Sequence, residues 1–192
     1  MNQAHPRALV FPGRGEAVHD VRPLVTSQDV TGIDFDDRFA ALGFAAQLAA
    51  VARLVAADGS STTLLVGRSF GAWLLLHALL DRADAYPGTV LLLAPVLGAG
   101  SVGKTGFIPP RARTFWQRVE AGQATPASRM VLACGVTDTQ APIELARALA
   151  RHWPIELHEC ELAHELPAWT SIEASTCVRS LLRTTRPSAT TR

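Results

Sequence analysis

Residues 64–76 read Leu-Leu-Val-Gly-Arg-Ser-Phe-Gly-Ala-Trp-Leu-Leu-Leu, and they constrain the fold more than any other stretch. A short apolar run rich in branched residues enters Gly67-Arg68-Ser69-Phe70-Gly71, and a run of helix formers leaves it. A strand that reverses into a helix within so few residues forces its apex residue into a strained positive-φ conformation, which lifts that side chain clear of the sheet edge. The two glycines fall where any Cβ would collide with the neighbouring strand or helix. The pattern predicts a nucleophile elbow with Ser69 at its apex, facing the amides and positive dipole end of the following helix. A serine-capped tight turn is the simpler alternative, and the partners available to the serine decide between them.

The rest of the chain supplies further strands and helices in alternation. Residues 8–11 read as a buried strand that runs into Pro12-Gly13-Arg14-Gly15, a turn exposing backbone amides. A second strand is expected at 30–35, after an unpatterned stretch from 18 to 25. Asp36 or Asp37 can cap one long helix, in which Phe39, Leu42, Leu48, Val51, Leu54 and Val55 recur at helical spacing before Asp58-Gly59 ends it. The elbow strand is expected at 63–66 and its helix through Leu80. Short apolar runs at 89–93, 130–134 and 155–158 suit a parallel sheet covered on both faces, and 143–153 reads as a helix with Pro142 in its first turn. The fold class is therefore α/β: a three-layer α/β/α domain with a mostly parallel, doubly wound sheet of about six strands. Such sheets bind ligands beyond the carboxyl ends of their strands.

At 192 residues the chain suits one domain spanning 1–192, with small polar residues at 184–192 expected to fray. A net charge of +1 offers no field for nucleic acid or an anionic membrane surface. Cys134, Cys160 and Cys177 are odd in number and lack CxxC spacing, which points to a reducing compartment rather than a disulfide framework or zinc site. The apolar run at 8–11 is too short for a secretory leader or a membrane span, so a cytoplasmic location is expected. His5, His19 and His152 show no metal-ligand spacing, and the residues imply neither metal nor cofactor.

A serine hydroxyl needs a base, and the base needs an orienting group. Asp138 follows the strand at 130–134 and His164 follows that at 155–158, which predicts both in loops at the sheet edge where Ser69 sits. The order Ser, Asp, His is the one this elbow class uses. Asp138 has a simpler role open to it as a cap for the helix at Pro142. His158 competes as base but lies within or at the end of a strand, while Asp34, Asp36 and Asp37 are a weaker source of the acid. His77, among leucines inside the elbow helix, reads as a hydrogen-bonded core histidine. Arg14 and Arg68 flank the reaction centre and could hold a substrate carboxylate, or simply pair with surface acids.

Taken together, Phe11-Pro12-Gly13-Arg14-Gly15, Gly67-Arg68-Ser69-Phe70-Gly71, Gly135-Val136-Thr137-Asp138 and Ala163-His164 resemble the α/β-hydrolase superfamily. The resemblance is to its small, nearly lidless bacterial members, similar to the retinoblastoma-binding-protein type of serine hydrolase. It implies that Ser69 is the nucleophile, His164 the general base and then acid, and Asp138 the residue fixing the imidazole tautomer. It further implies oxyanion donors at the amide of Phe70 and at a first-loop amide, that of Arg14. The chain departs from the family in carrying Pro12-Gly13 where a His-Gly loop is usual, and in leaving no room for two leading antiparallel strands. The fold expected is thus truncated at its N-terminus.

A second motif competes. Gly98-Ala99-Gly100-Ser101-Val102-Gly103-Lys104-Thr105 matches the P-loop consensus letter for letter. A P-loop needs a helix beginning at its Lys and Thr, however, and Pro109-Pro110 would stop one there. Residues 96–122 can instead form a small lid, with Phe107, Ile108, Phe115 and Trp116 as acyl-pocket walls, or an ordinary connection whose aromatics pack on the core. The sequence thus points to a serine hydrolase acting on a small-molecule ester or thioester. Two alternatives stand beside it: a binding protein on the same scaffold with little turnover, and a nucleotide-binding P-loop protein.

Overall fold

The computed structural model describes residues 7–98, 108–124 and 126–181. Six strands form one parallel sheet: β1 (Arg7–Phe11), β2 (Asp29–Gly32), β3 (Thr63–Arg68), β4 (Tyr86–Leu93), β5 (Ala127–Gly135) and β6 (Ile155–Cys160). They lie in the order β2-β1-β3-β4-β5-β6. The chain moves outward from β1 to β2 and then restarts on the other side of β1 with β3. That reversal makes the carboxyl ends of β1 and β3 a topological switch point, the place where doubly wound sheets form their ligand sites.

Side chains alternate along each strand and so feed two separate layers. Leu9, Phe11, Leu65, Leu92 and Leu132 pack under α3 (Phe44–Asp58), α4 (Ser69–Leu80), α5 (Ala112–Glu120) and α6 (Ile143–His152). Val10, Val66, Leu91, Leu93 and Val131 face the opposite layer, where α1 (Val18–Val21), the 3-10 turn Arg22–Leu24, α7 (Leu166–Thr170) and α8 (Ile172–Leu181) cover them with Val21, Leu24, Trp169, Val178 and Leu181. All twelve residues of α4 are buried. No helix among the described residues is long and apolar enough to cross a membrane.

Several expectations are corrected. The strand predicted at 30–35 leaves the ladder at Gly32, and residues 33–35 turn instead to brace the first loop, where Phe35 accepts the Gly15 amide at 3.0 Å and donates to the Glu16 carbonyl at 2.9 Å. The single long helix is two. Asp36 caps a short α2 (Asp37–Ala40) through the Phe39 amide at 2.8 Å, the chain breaks with Leu42 exposed, and α3 starts afresh from Gly43. A glycine inside a continuous helix costs about 1 kcal/mol. Here the buried Gln47 side chain closes the break by donating to the Phe39 carbonyl at 3.0 Å.

The connection after β4 contains α5, whose Phe115 is fully buried against Trp73 and Trp153. Phe115 is therefore core, not a pocket wall. Residues 99–105 of the P-loop-like motif and the tail at 184–192 lie outside the described residues; residues 108–111 are not helical. His77 is a core histidine as expected, but its Nε2 has no hydrogen-bond partner among the described residues. Its ring sits edge-on to Trp73 at 4.5 Å and Phe44 at 5.7 Å, and burial pushes its pKa down to about 4.

Candidate active site

Ser69 is the first residue of α4 and has φ +49°. Its positive φ is enforced from both sides. A Cβ on Gly67 would lie 2.5 Å from Ala72 Cα, and one on Gly71 would lie 2.1 and 2.2 Å from the carbonyl oxygens of Phe11 and Pro12. These are backbone atoms, so no rotamer change relieves the clash, and the turn can be this tight only with hydrogen at both places. The Ser69 carbonyl accepts the Val96 amide at 3.3 Å.

Two further loops deliver partners to the serine. Ser69 Oγ lies 2.9 Å from His164 Nε2, and His164 Nδ1 lies 2.7 Å from Asp138 Oδ2. All three residues are buried, at 8%, 8% and 5% exposure. Asp138 does not cap α6, whose N-cap is Pro142 with no side-chain bond; its Oδ1 instead closes the turn before that helix by accepting the amides of Gln140 and Ala141 at 2.8 and 2.7 Å. One carboxylate oxygen fixes the loop and the other faces the imidazole. The two loops are joined by the Val136 amide on the Cys160 carbonyl and the Thr137 hydroxyl on the Leu162 carbonyl, both at 2.8 Å. From α7, Trp169 Nε1 braces the Ala163 carbonyl at 2.9 Å.

The rival residues have other partners. His158 pairs with Glu156 along β6 at 2.9 Å, Asp34 accepts the Val18 amide, and Asp36 caps α2.

No protein-family model and no curated protein sequence matches this chain. Solved structures do. A protein from Xanthomonas campestris pv. campestris named for the alpha/beta hydrolase superfamily aligns with TM-score 0.61 at 16% identity, over 96% of this chain and 100% of its own. The ydeN gene product from B. subtilis aligns with TM-score 0.64 at 15% identity, over 92% and 97%. Esterase 2 of Thermogutta terrifontis, phosphonylated by sarin, aligns with TM-score 0.63 at 16% identity, over 91% and 80%. The chain has the α/β-hydrolase fold. At these identities the likeness is one of architecture.

Within the α/β-hydrolase fold, the loop after β1 packs directly against the start of α4, close enough that a Cβ on Gly71 would meet the Phe11 and Pro12 carbonyl oxygens. Phe70 is the second residue of α4, and the Arg14 guanidinium stacks 4.3 Å above its ring. The neighbouring first-loop amides are engaged: Gly13 donates to Glu16 Oε2 at 2.7 Å, Gly15 to the Phe35 carbonyl, and Glu16 to the Gly13 carbonyl at 3.1 Å.

Three expected substrate contacts fare differently. Arg68 is 2% exposed, and its guanidinium donates through Nη1 to Glu16 Oε1 and through Nη2 to the His164 carbonyl. It is not available to a substrate carboxylate, because the last residue of β3 points its side chain beneath the elbow rather than out of it. Burial lowers its pKa, opposed chiefly by the Glu16 carboxylate. Trp116 donates Nε1 to the Leu97 carbonyl at 2.8 Å and lines a cavity of about 480 Å³ with Ile108, Leu145 and Ala148; none of Ser69, Asp138 or His164 lines it. Phe107 lies outside the described residues. The sequence reading missed Glu16. An acid just beyond Pro-Gly-Arg-Gly carries no motif, and its importance follows only from the arginine that reaches it.

Proposed function

We propose that this protein is a serine hydrolase that cleaves a small ester or thioester through an acyl-enzyme, as one of the small, nearly lidless members of the α/β-hydrolase superfamily similar to the retinoblastoma-binding-protein type. One observation carries the reading: the unbroken contact Ser69 Oγ, His164 Nε2, His164 Nδ1, Asp138 Oδ2, made by residues from three separate loops at one sheet edge. Closing the 138–141 turn gives no reason for Asp138 to present its second oxygen to a histidine, nor for that histidine to reach a serine with a positive φ.

The chemistry follows from proton positions. With the Nδ1 proton donated to Asp138, His164 Nε2 is an acceptor and takes the Ser69 proton as Oγ attacks the acyl carbon. The carbonyl oxygen becomes an oxyanion stabilised by the amides of Phe70 and Arg14 and by the α4 dipole. Collapse expels the alcohol or thiol, which leaves with the proton from His164. Water, deprotonated by the same nitrogen, then hydrolyses the acyl-Ser69 ester and regenerates the hydroxyl.

Phosphonylation of a protein of similar fold makes a fluorophosphonate the matching probe. The expected result is covalent labelling mapped to Ser69 by mass spectrometry, with p-nitrophenyl acetate hydrolysis abolished in Ser69→Ala and His164→Ala. Folded wild-type protein that neither labels nor turns over the ester would leave a binding protein on this scaffold as the surviving reading.

A further inference from the structure

Arg68 sits directly before Ser69 and is among the largest fully buried side chains of the protein. Its partners come from two other loops. Nη1 donates to Glu16 Oε1, and Glu16 in turn holds the Gly13 amide on Oε2, so the carboxylate belongs to the loop that follows β1. Nη2 donates to the backbone carbonyl of His164 itself. A single planar guanidinium therefore joins the loop opposite the elbow, the elbow, and the loop carrying the imidazole.

Stability is a poor explanation for such a group. Removing a guanidinium and a carboxylate from water costs several kcal/mol, and apolar replacements of both are often neutral or stabilising. What a buried fork of fixed geometry does well is set distances, because its donors diverge at a constant angle and neither can drift without breaking a charged hydrogen bond. Reacting groups misplaced by about 1 Å lose on the order of a hundredfold in rate. The two loops have no short covalent route between them, since Glu16 and His164 are separated by most of the chain.

We propose that Arg68, paired with Glu16, is a positioning residue that ties the first loop and the His164 loop to the nucleophile turn, holding the imidazole and the oxyanion donors in register around Ser69. The proposal rests on the serine-hydrolase reading for its kinetic consequence. It also has a structural consequence that does not: the His164 to Asp138 hydrogen bond depends on a carbonyl held by Arg68.

The test is a double variant, Glu16→Gln with Arg68→Met, which keeps an acceptor for the Gly13 amide, strands no buried charge, and cuts the tie to His164. Its fold and melting temperature are checked by circular dichroism. The expected result is a melting temperature close to wild type, a kcat for p-nitrophenyl acetate lowered on the order of a hundredfold, an unchanged KM, and loss or broadening of the downfield His164 Nδ1 proton resonance. The exchanged pair, Glu16→Arg with Arg68→Glu, retains the two charges but sets a carboxylate against the His164 carbonyl, and it should be as slow as the double variant. Arg68→Lys, with a compact ammonium in place of the fork, should fall between. Wild-type kcat and an intact Nδ1 resonance in the double variant would overturn the tether, as would full recovery in the exchanged pair or an effect confined to KM. Should wild-type Ser69 resist the fluorophosphonate, the hydrolase reading fails by itself, and the Nδ1 resonance still decides the tether.

Discussion

Asp138→Asn isolates one proton. In the wild type, Oδ1 receives the amides of Gln140 and Ala141 while Oδ2 faces His164 Nδ1 at 2.7 Å. An asparagine must keep its oxygen on the two amides, since an NH2 group there would set donor against two donors. Its Nδ2 therefore takes the Oδ2 position and points a donor at the imidazole. His164 can answer only by accepting at Nδ1, which moves its proton to Nε2, the atom that has to deprotonate Ser69. The loop remains satisfied, so the fold should hold, yet the base is in the wrong tautomer. The expected loss in kcat is on the order of a thousandfold or more, equivalent to about 4 kcal/mol of transition-state stabilisation. The assay is steady-state hydrolysis of p-nitrophenyl acetate beside a thermal melt of the same preparation. A folded Asp138→Asn protein with rates near wild type would refute the tautomer argument and remove Asp138 from the site.

Other expectations follow from burial and close approach. His77 is neutral in the fold with a pKa of about 4 against 6.5 when exposed, so the unfolded chain binds the extra proton between those values; stability held above about pH 6.5 is lost as the pH falls towards 4, by roughly 3 kcal/mol. Thermal melts at pH 7 and 4.5 should show a shallower acid loss in His77→Phe than in wild type, and parallel curves would refute the assignment. In Gly71→Ala the new methyl meets the Phe11 carbonyl at 2.1 Å, and overpacking against backbone should cost about 1–3 kcal/mol or more, lowering the melting temperature by roughly 5 °C or preventing soluble expression. A Gly71→Ala protein melting with wild type would show that the elbow can open.

The site was more legible in the sequence than the helical layers were. Ser69, Asp138 and His164 each lie within four residues of the carboxyl end of a strand, and the parallel ladder makes that position meaningful because every strand ends at the same edge. The break between α2 and α3 was harder to see, since Leu42 continues the helical period yet is exposed, and the decisive features are Gly43 and a buried Gln47 that closes the gap from the next helix. Helices α7 and α8 carry few large apolar residues and no strong pattern, although Trp169 and Val178 join Val21, Leu24 and Leu181 in covering one face of the sheet.

By itself the sequence determined what depends on neighbours along the chain. Short apolar runs and the 3.6-residue period marked alternating strands and helices, and the two glycines around Ser69 marked a turn that any Cβ would prevent. Tertiary structure decided what depends on groups distant along the chain. His164 meets a serine 95 residues away because β5 and β6 pair with Gly135 opposite Cys160, which brings the Asp138 and His164 loops off the sheet side by side. Arg68 likewise reads either as a substrate-holding cation or as a partner of some surface acid until the loops close over it; its burial and its pairing with Glu16 and the His164 carbonyl exist only once water has been excluded from beneath the elbow, a condition that no short window of sequence reports.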